Sequence, residues 1–254
     1  MRLKRNYIDL LKELVKTDFK LRYKNSVLGL VWVLLKPFLS FLILYLIFGY
    51  LFGNQDPNYR LNLLIGLITF QFFTEATSRG LAGLVSRANI LLKINFPREI
   101  ALLAPIINAI INYTFSLIIF FIFWFFNPTP LTWWWLVAPM YFFLLVMFVI
   151  GFSLFTSILY VRLRDLETIW EVLSTLIFYA TPIIYPISLL PEKFQSIILL
   201  NPVAAIIRDI RLILIQGRPP GVFSIIYVGG VSLLMILFGW LYFRKQIKRV
   251  SEDF

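Results

Sequence analysis

Apolar residues in this chain come in long runs, broken by short polar segments that are mostly cationic. The runs cover about residues 31–52, 61–86, 100–126, 134–160, 168–187 and 222–243. Each is longer than the roughly 18 residues a helix needs to cross about 30 Å of hydrocarbon. The pattern predicts an all-α integral membrane protein whose six transmembrane helices form a single domain over residues 1–254.

Residues 4–24 follow a different period. Tyr7, Ile8, Leu10, Leu11, Leu14, Val15 and Phe19 recur at three- and four-residue steps, while Arg5, Lys12, Glu13, Lys16 and Lys20 fill the other side. A helix with that pattern lies in the membrane interface with its apolar stripe at the acyl boundary. A plain membrane anchor is the alternative.

The stretch 188–218 is mixed. Residues 197–215 hold twelve Ile, Leu or Val, worth roughly −4 to −7 kcal/mol on an insertion scale. Arg208, Asp209 and Arg211 oppose this with roughly 7–10 kcal/mol if deeply placed, and Asn201-Pro202 interrupts the helix. The balance predicts a re-entrant or interfacial helical hairpin between the fifth and sixth spans. With that count, eighteen Lys or Arg fall on the side of the N-terminal segment and the tail from Arg244, and five on the other. Lys36 lies inside the first span. Since the cytoplasmic side carries the cationic excess, both termini are expected there.

Composition sharpens the class. Of the 254 residues 60% are hydrophobic, with a mean hydropathy of +0.83, against about 45–50% in a soluble domain. The net charge of +11 sits in the breaks between apolar runs, where it sets orientation in a membrane. No nucleic-acid partner is expected. The absence of cysteine removes disulfides and thiolate metal sites. The absence of histidine removes the commonest general base and metal ligand. The first apolar run begins near Val31, behind a long charged stretch, unlike a cleaved signal peptide.

Chemistry-bearing constellations are few, and no catalytic, cofactor or metal site is expected in this chain. No GxxxxGK[ST] segment occurs, so any ATP, and the Mg with it, must be bound by a partner subunit. Asp165, Glu167 and Glu171 form the only tight acidic group, with Arg162 and Arg164 beside them. A metal site needs several convergent oxygen ligands; a charged cytoplasmic turn is the simpler reading. Glu75 and Arg79 stand four apart within the second span, on one helix face. Such charges are costly in a membrane; lining an aqueous path and holding two helices together both fit them. Between spans two and three, Arg87–Glu99 carries Ile90, Leu91, Leu92, Ile94 and Phe96 among scattered charges. An apolar surface rimmed by polar residues points to a protein partner, or else to contact with the lipid surface. Aromatics make up 18% of the chain; some are expected in interfacial belts, as at Trp133, Trp134 and Trp135, and a subset in a conduit where flat rings stack on sugar faces.

Five segments, in order along nearly the whole chain, resemble the permease subunits of type-2 ABC exporters for O-antigen, capsular polysaccharide or teichoic acid. Arg22, Tyr23, Lys24, Ser26, Gly29 and Trp32 match the family's RYKxSxLGxxW approach to the first span. Asn89, Ile90, Leu91, Leu92, Lys93, Phe96, Pro97, Arg98 and the residues to Ile100 are similar to its first cytoplasmic loop. Val161–Leu166 resembles its RD element, Phe178–Pro186 its TPxxYP run, and Asn201, Pro202, Ile206, Ile207 and Arg211 its NP…R segment. The resemblance implies a bacterial inner-membrane, multi-pass permease that moves a lipid-linked polysaccharide. It further implies a homodimer on two copies of a separate ATPase subunit. The loop Asn89–Arg98 would dock into the ATPase, and the 188–218 hairpin, with Arg208, would be the external gate. Teichoic acid, a lipid oligosaccharide or a drug are alternative cargoes in the same architecture. An integral-membrane glycosyl or phosphoglycosyl transferase is the distant rival, short of the acids and base such chemistry requires.

Overall fold

The computed structural model describes residues 2–24, 28–29, 31–53, 56–93 and 96–250. Among them every regular element is helical. The α-helices are α1 (Arg2–Tyr23), α2 (Val31–Phe52), α3 (Tyr59–Ala82), the short α4 (Ala88–Lys93) and α5 (Glu99–Phe126). They continue with α6 (Ala138–Arg162), α7 (Leu166–Ala180), α8 (Glu192–Ile198), α9 (Pro202–Leu214) and α10 (Val222–Val250). Four helices among the described residues are long and apolar enough to cross a membrane: α2, α5, the Trp133–Arg162 stretch containing α6, and Val222–Ile247 within α10.

The core is built around α3. Leu61, Leu63, Leu64, Ile65, Leu67, Ile68, Phe72 and Phe73 are all buried, so consecutive side chains are covered on every side rather than along one stripe. Helices α2, α5, α6, α7 and α9 supply the cover. A helix wrapped by protein can carry Arg60, Glu75 and Arg79, because those groups find protein partners instead of hydrocarbon. Its lower hydropathy follows from that setting.

Helix α7 is shorter than its apolar run. Its 15 residues reach about 22 Å at 1.5 Å per residue, and it stops at Ala180 whereas the run continues to 187. Thr181 caps the end, its N–H and its hydroxyl both donating to the Ile177 carbonyl at 2.9 and 2.7 Å. Pro182 disfavours helical backbone at the residue before it, and Pro186 cannot donate to a further turn.

Helices α6 and α10 cross at bare backbone. A Cβ on Gly151 would lie 2.4 Å from the Met235 carbonyl oxygen, and one on Gly239 would lie 2.1 Å from that of Gly151. This is the small-residue contact by which membrane helices approach closely.

The 188–218 stretch folds as α8 and α9 joined by a short turn. The Asn201 side chain caps α9 by accepting from the Val203 N–H at 3.0 Å, with Pro202 in the first turn. Pro there loses no hydrogen bond. With 13 residues, α9 spans only about 20 Å. Gly217 closes it at φ +63, a left-handed conformation that favours glycine. Trp124 donates to the Thr129 hydroxyl at 2.9 Å, and that hydroxyl donates to the Leu214 carbonyl at 2.8 Å. The loop before Trp133 is thereby tied to the end of α9. Trp133 projects outward, while Trp135 packs edge-on against Trp124 with ring centres 5.4 Å apart.

Candidate functional site

A cavity of about 510 Å³ lies between α1, α2, α3 and α5. Glu75 is its centre. Its Oε1 accepts from Arg22 of α1 at 2.5 Å and from the Asn112 amide of α5 at 2.9 Å, and it forms an ion pair with Arg79, one turn along, at 3.1 Å. The pair read from four-residue spacing is therefore part of a three-helix junction, and it also lines the cavity. Trp32, Lys36, Gln71, Tyr113 and Ser116 complete much of the wall.

Replacing Glu75 by Gln is expected to loosen α1. The cavity would then hold Arg22, Lys36 and Arg79 with no carboxylate among its lining residues. Hydrogen bonds to charged groups contribute about 1.5–3 kcal/mol, reduced by partial exposure, so a loss of about 1–2 kcal/mol in docking of α1 is expected. Faster tryptic cleavage after Lys20 and Arg22 would register it; wild-type rates would contradict it.

Two further contacts hold α1 on α5. Arg87 is buried, donates to the Ala101 carbonyl at 2.8 Å and forms an ion pair with Asp18. Asn108 donates to the Val15 carbonyl at 3.2 Å. Part of the α1 stripe thus rests on protein, while Ile8 and Leu21 stay exposed. Gly29, at φ +46, turns the chain into α2, whose first N–H, on Val31, donates to the Leu28 carbonyl at 2.9 Å. Tyr23 ends α1 and Lys24 follows it, exposed; Ser26 lies outside the described residues.

The segment after α3 needs one correction. Asn89 and Ile90 are exposed on α4, which Leu91, Leu92 and Lys93 continue; Ile94 and Asn95 lie outside the described residues. Phe96, expected at a partner surface, is only 6% exposed. Burial inside its own chain is the cheaper fate for so large an apolar ring. Pro97 is exposed, and Arg98 donates to the Ile247 carbonyl of α10 at 2.7 Å. Arg98 therefore joins this segment to the last helix.

At the far end of α3 the charged side chains of α9 are held by hydrogen bonds. Asp209 is 0% exposed; it accepts from Arg208 at 2.7 Å and from the Ser224 hydroxyl at 2.5 Å. Arg211 donates to three backbone carbonyls: Asn62 at 2.9 Å, Pro182 at 2.6 Å and Ile183 at 2.9 Å. It stitches the turn after α7 to the start of α3. Around Asp165 the described side chains bring no metal-ligating group together; Glu167 instead accepts from the Tyr160 hydroxyl at 2.5 Å. Asp18, Arg87, Asn108, Asn112 and Ser224 were missing from the sequence-based site. Polar asparagines inside the apolar run 100–126 were a usable signal, since such residues in a membrane helix seek a partner.

Residues 9–215 match the sequence signature described as ABC-2 type transporter. The chain belongs to the ABC-2 type transporter family. Among relatives of this ABC-2 protein is the O-antigen export system permease protein RfbA of Klebsiella pneumoniae, 34% identical over 247 residues, or 96% of this chain and 94% of the relative. A protein of the same name from Myxococcus xanthus is 27% identical, covering 97% of this chain and 96% of its own. The polysialic acid transport protein KpsM of Escherichia coli is 20% identical over 90% of each.

Proposed function

We propose that this chain is the permease subunit of an ATP-binding-cassette exporter that moves a lipid-linked polysaccharide of the O-antigen kind across the bacterial inner membrane. One observation carries the reading: near full-length similarity to permeases named for O-antigen export. Helices α3 and α7 join the four apolar ones as spans in this reading, with α8 and α9 as an external re-entrant hairpin and both termini cytoplasmic. The enclosure of α3 by other helices supports its part in it. Two copies form the conduit, and each sits on an ATPase subunit that binds ATP and Mg. No covalent chemistry is assigned here.

Exposed Asn89 and Ile90 on α4 make the ATPase contact, and Arg98 passes the displacement to α10 through the Ile247 carbonyl. ATP binding shifts the membrane halves only if the ATPase binds their two states with different affinity. Ile90→Asp is expected to weaken docking about tenfold, equivalent to about 1.4 kcal/mol. Arg98→Ala is expected to leave docking intact and uncouple hydrolysis from export. The ATPase activity of the reconstituted complex and polymer export into vesicles measure both. Unchanged docking and unchanged export in the two variants would sink the assignment.

A further inference from the structure

We propose that the cavity between α1, α2, α3 and α5 binds a phosphorylated lipid headgroup, with Lys36 as the cation that meets its phosphate. Lys36 is the only charged residue of α2. It stands in the second turn, about 8 Å along the axis at 1.5 Å per residue, within a helix otherwise suited to hydrocarbon. An ionised side chain so placed is costly unless paired, and among the described residues no carboxylate lies within ion-pairing distance of it.

The nearest candidate is already engaged. Among the described residues Glu75 is the sole carboxylate of the cavity wall, and its Oε1 serves Arg22, Arg79 and Asn112. Among the described residues the wall carries three cationic side chains and one carboxylate, and none of the ion pairs includes Lys36. An anion brought by a ligand would supply the partner that Lys36 lacks there.

The surroundings select what kind. Trp32 and Lys36 lie at the exposed face of α2, so the cavity is reached from the side of a membrane helix, where the available anions are lipid phosphates. Its volume of about 510 Å³ falls within the roughly 300–1,000 Å³ of small-ligand sites. Phosphate accepts charge-assisted hydrogen bonds from Lys and Arg. The exporter reading of the previous subsection supplies one source, the headgroup of a lipid-linked polymer; the bulk phospholipid of the bilayer is the other. The charge argument stands without the exporter reading, while the choice of source rests on it.

The test uses the permease–ATPase complex in nanodiscs of zwitterionic phosphatidylcholine. Farnesyl pyrophosphate, phosphatidylglycerol and uncharged farnesol are titrated separately as radiolabelled probes, and polymer export is measured alongside. Lys36→Met, which keeps the length of the side chain, should weaken farnesyl pyrophosphate binding at least about tenfold. Lys36→Arg should stay within about threefold of wild type, and farnesol should not respond to either. An equal loss for phosphatidylglycerol would assign the site to bulk phospholipid; a loss confined to farnesyl pyrophosphate would assign it to the carrier type. Wild-type binding of both phosphorylated probes by Lys36→Met overturns the proposal. Intact export alongside that result leaves the exporter reading standing, whereas Lys36-dependent binding in a complex that exports no polymer removes the exporter reading alone.

Discussion

Arg211→Met should destabilise the protein by about 3 kcal/mol, because three part-buried carbonyls would each lose a donor at roughly 1 kcal/mol. Those carbonyls belong to Asn62, Pro182 and Ile183, so the turn after α7 and the start of α3 would come apart together. Stabilities of 5–15 kcal/mol are usual, which makes this a large fraction. Lysine should rescue little, since an ammonium cannot reach three acceptors set around a planar fork. Gly66→Ala offers a second route to the same lesion. Its Cβ would sit 2.5 Å from an Arg211 terminal nitrogen, so the guanidinium must give up its bond to Ile183. About 1–2 kcal/mol is expected there. Scanning fluorimetry in one detergent would rank the variants; an Arg211→Met melt equal to wild type would refute the role given to this residue.

The second large effect is expected at Gly151. Overpacking a close-packed interior commonly costs about 1–3 kcal/mol through side-chain shifts, but here the obstacle is backbone. A Cβ at 151 meets the Met235 carbonyl at 2.4 Å and the Ile236 nitrogen at 2.5 Å. Only separation of α6 from α10 relieves this, and it takes the packing along the whole crossing with it. Gly151→Val should therefore fail to accumulate as folded protein. Gly230 lies on the same α10 with nothing within 4 Å of an added Cβ. Gly230→Ala should be neutral or gain up to about 1 kcal/mol of helix propensity. Yields of monodisperse protein on size exclusion would compare the pair. Equal yields from the two substitutions would show that the crossing is not held by bare backbone.

What could be read in advance was local. Unbroken apolar length marked α2, α5, α6 and α10, a period near 3.6 marked α1, and Asn201-Pro202 marked a break in the helix ahead of α9. Four-residue spacing put Glu75 and Arg79 on one face. Each of these signals depends on neighbours within a turn or a run of one helix, and helix geometry is the same wherever the helix is placed.

Contacts between helices carried no such signal. Arg22 reaches Glu75 across 53 positions, Arg87 reaches Asp18 across 69, and Arg98 reaches the Ile247 carbonyl across 149. Phe96 looked like a surface group because exposure was judged from its loop, yet its ring is covered by the fold. Helix α3 was recognisable as a run, but not as the central helix, since an apolar residue reads alike whether lipid or protein surrounds it. Hydropathy and spacing were thus enough to specify the long apolar helices, the amphipathic α1 and the preference for a membrane. Which polar side chains meet, which cation is left over and which aromatic is covered depended on how the helices pack, because a charge inside a membrane protein settles wherever three-dimensional proximity gives it a partner.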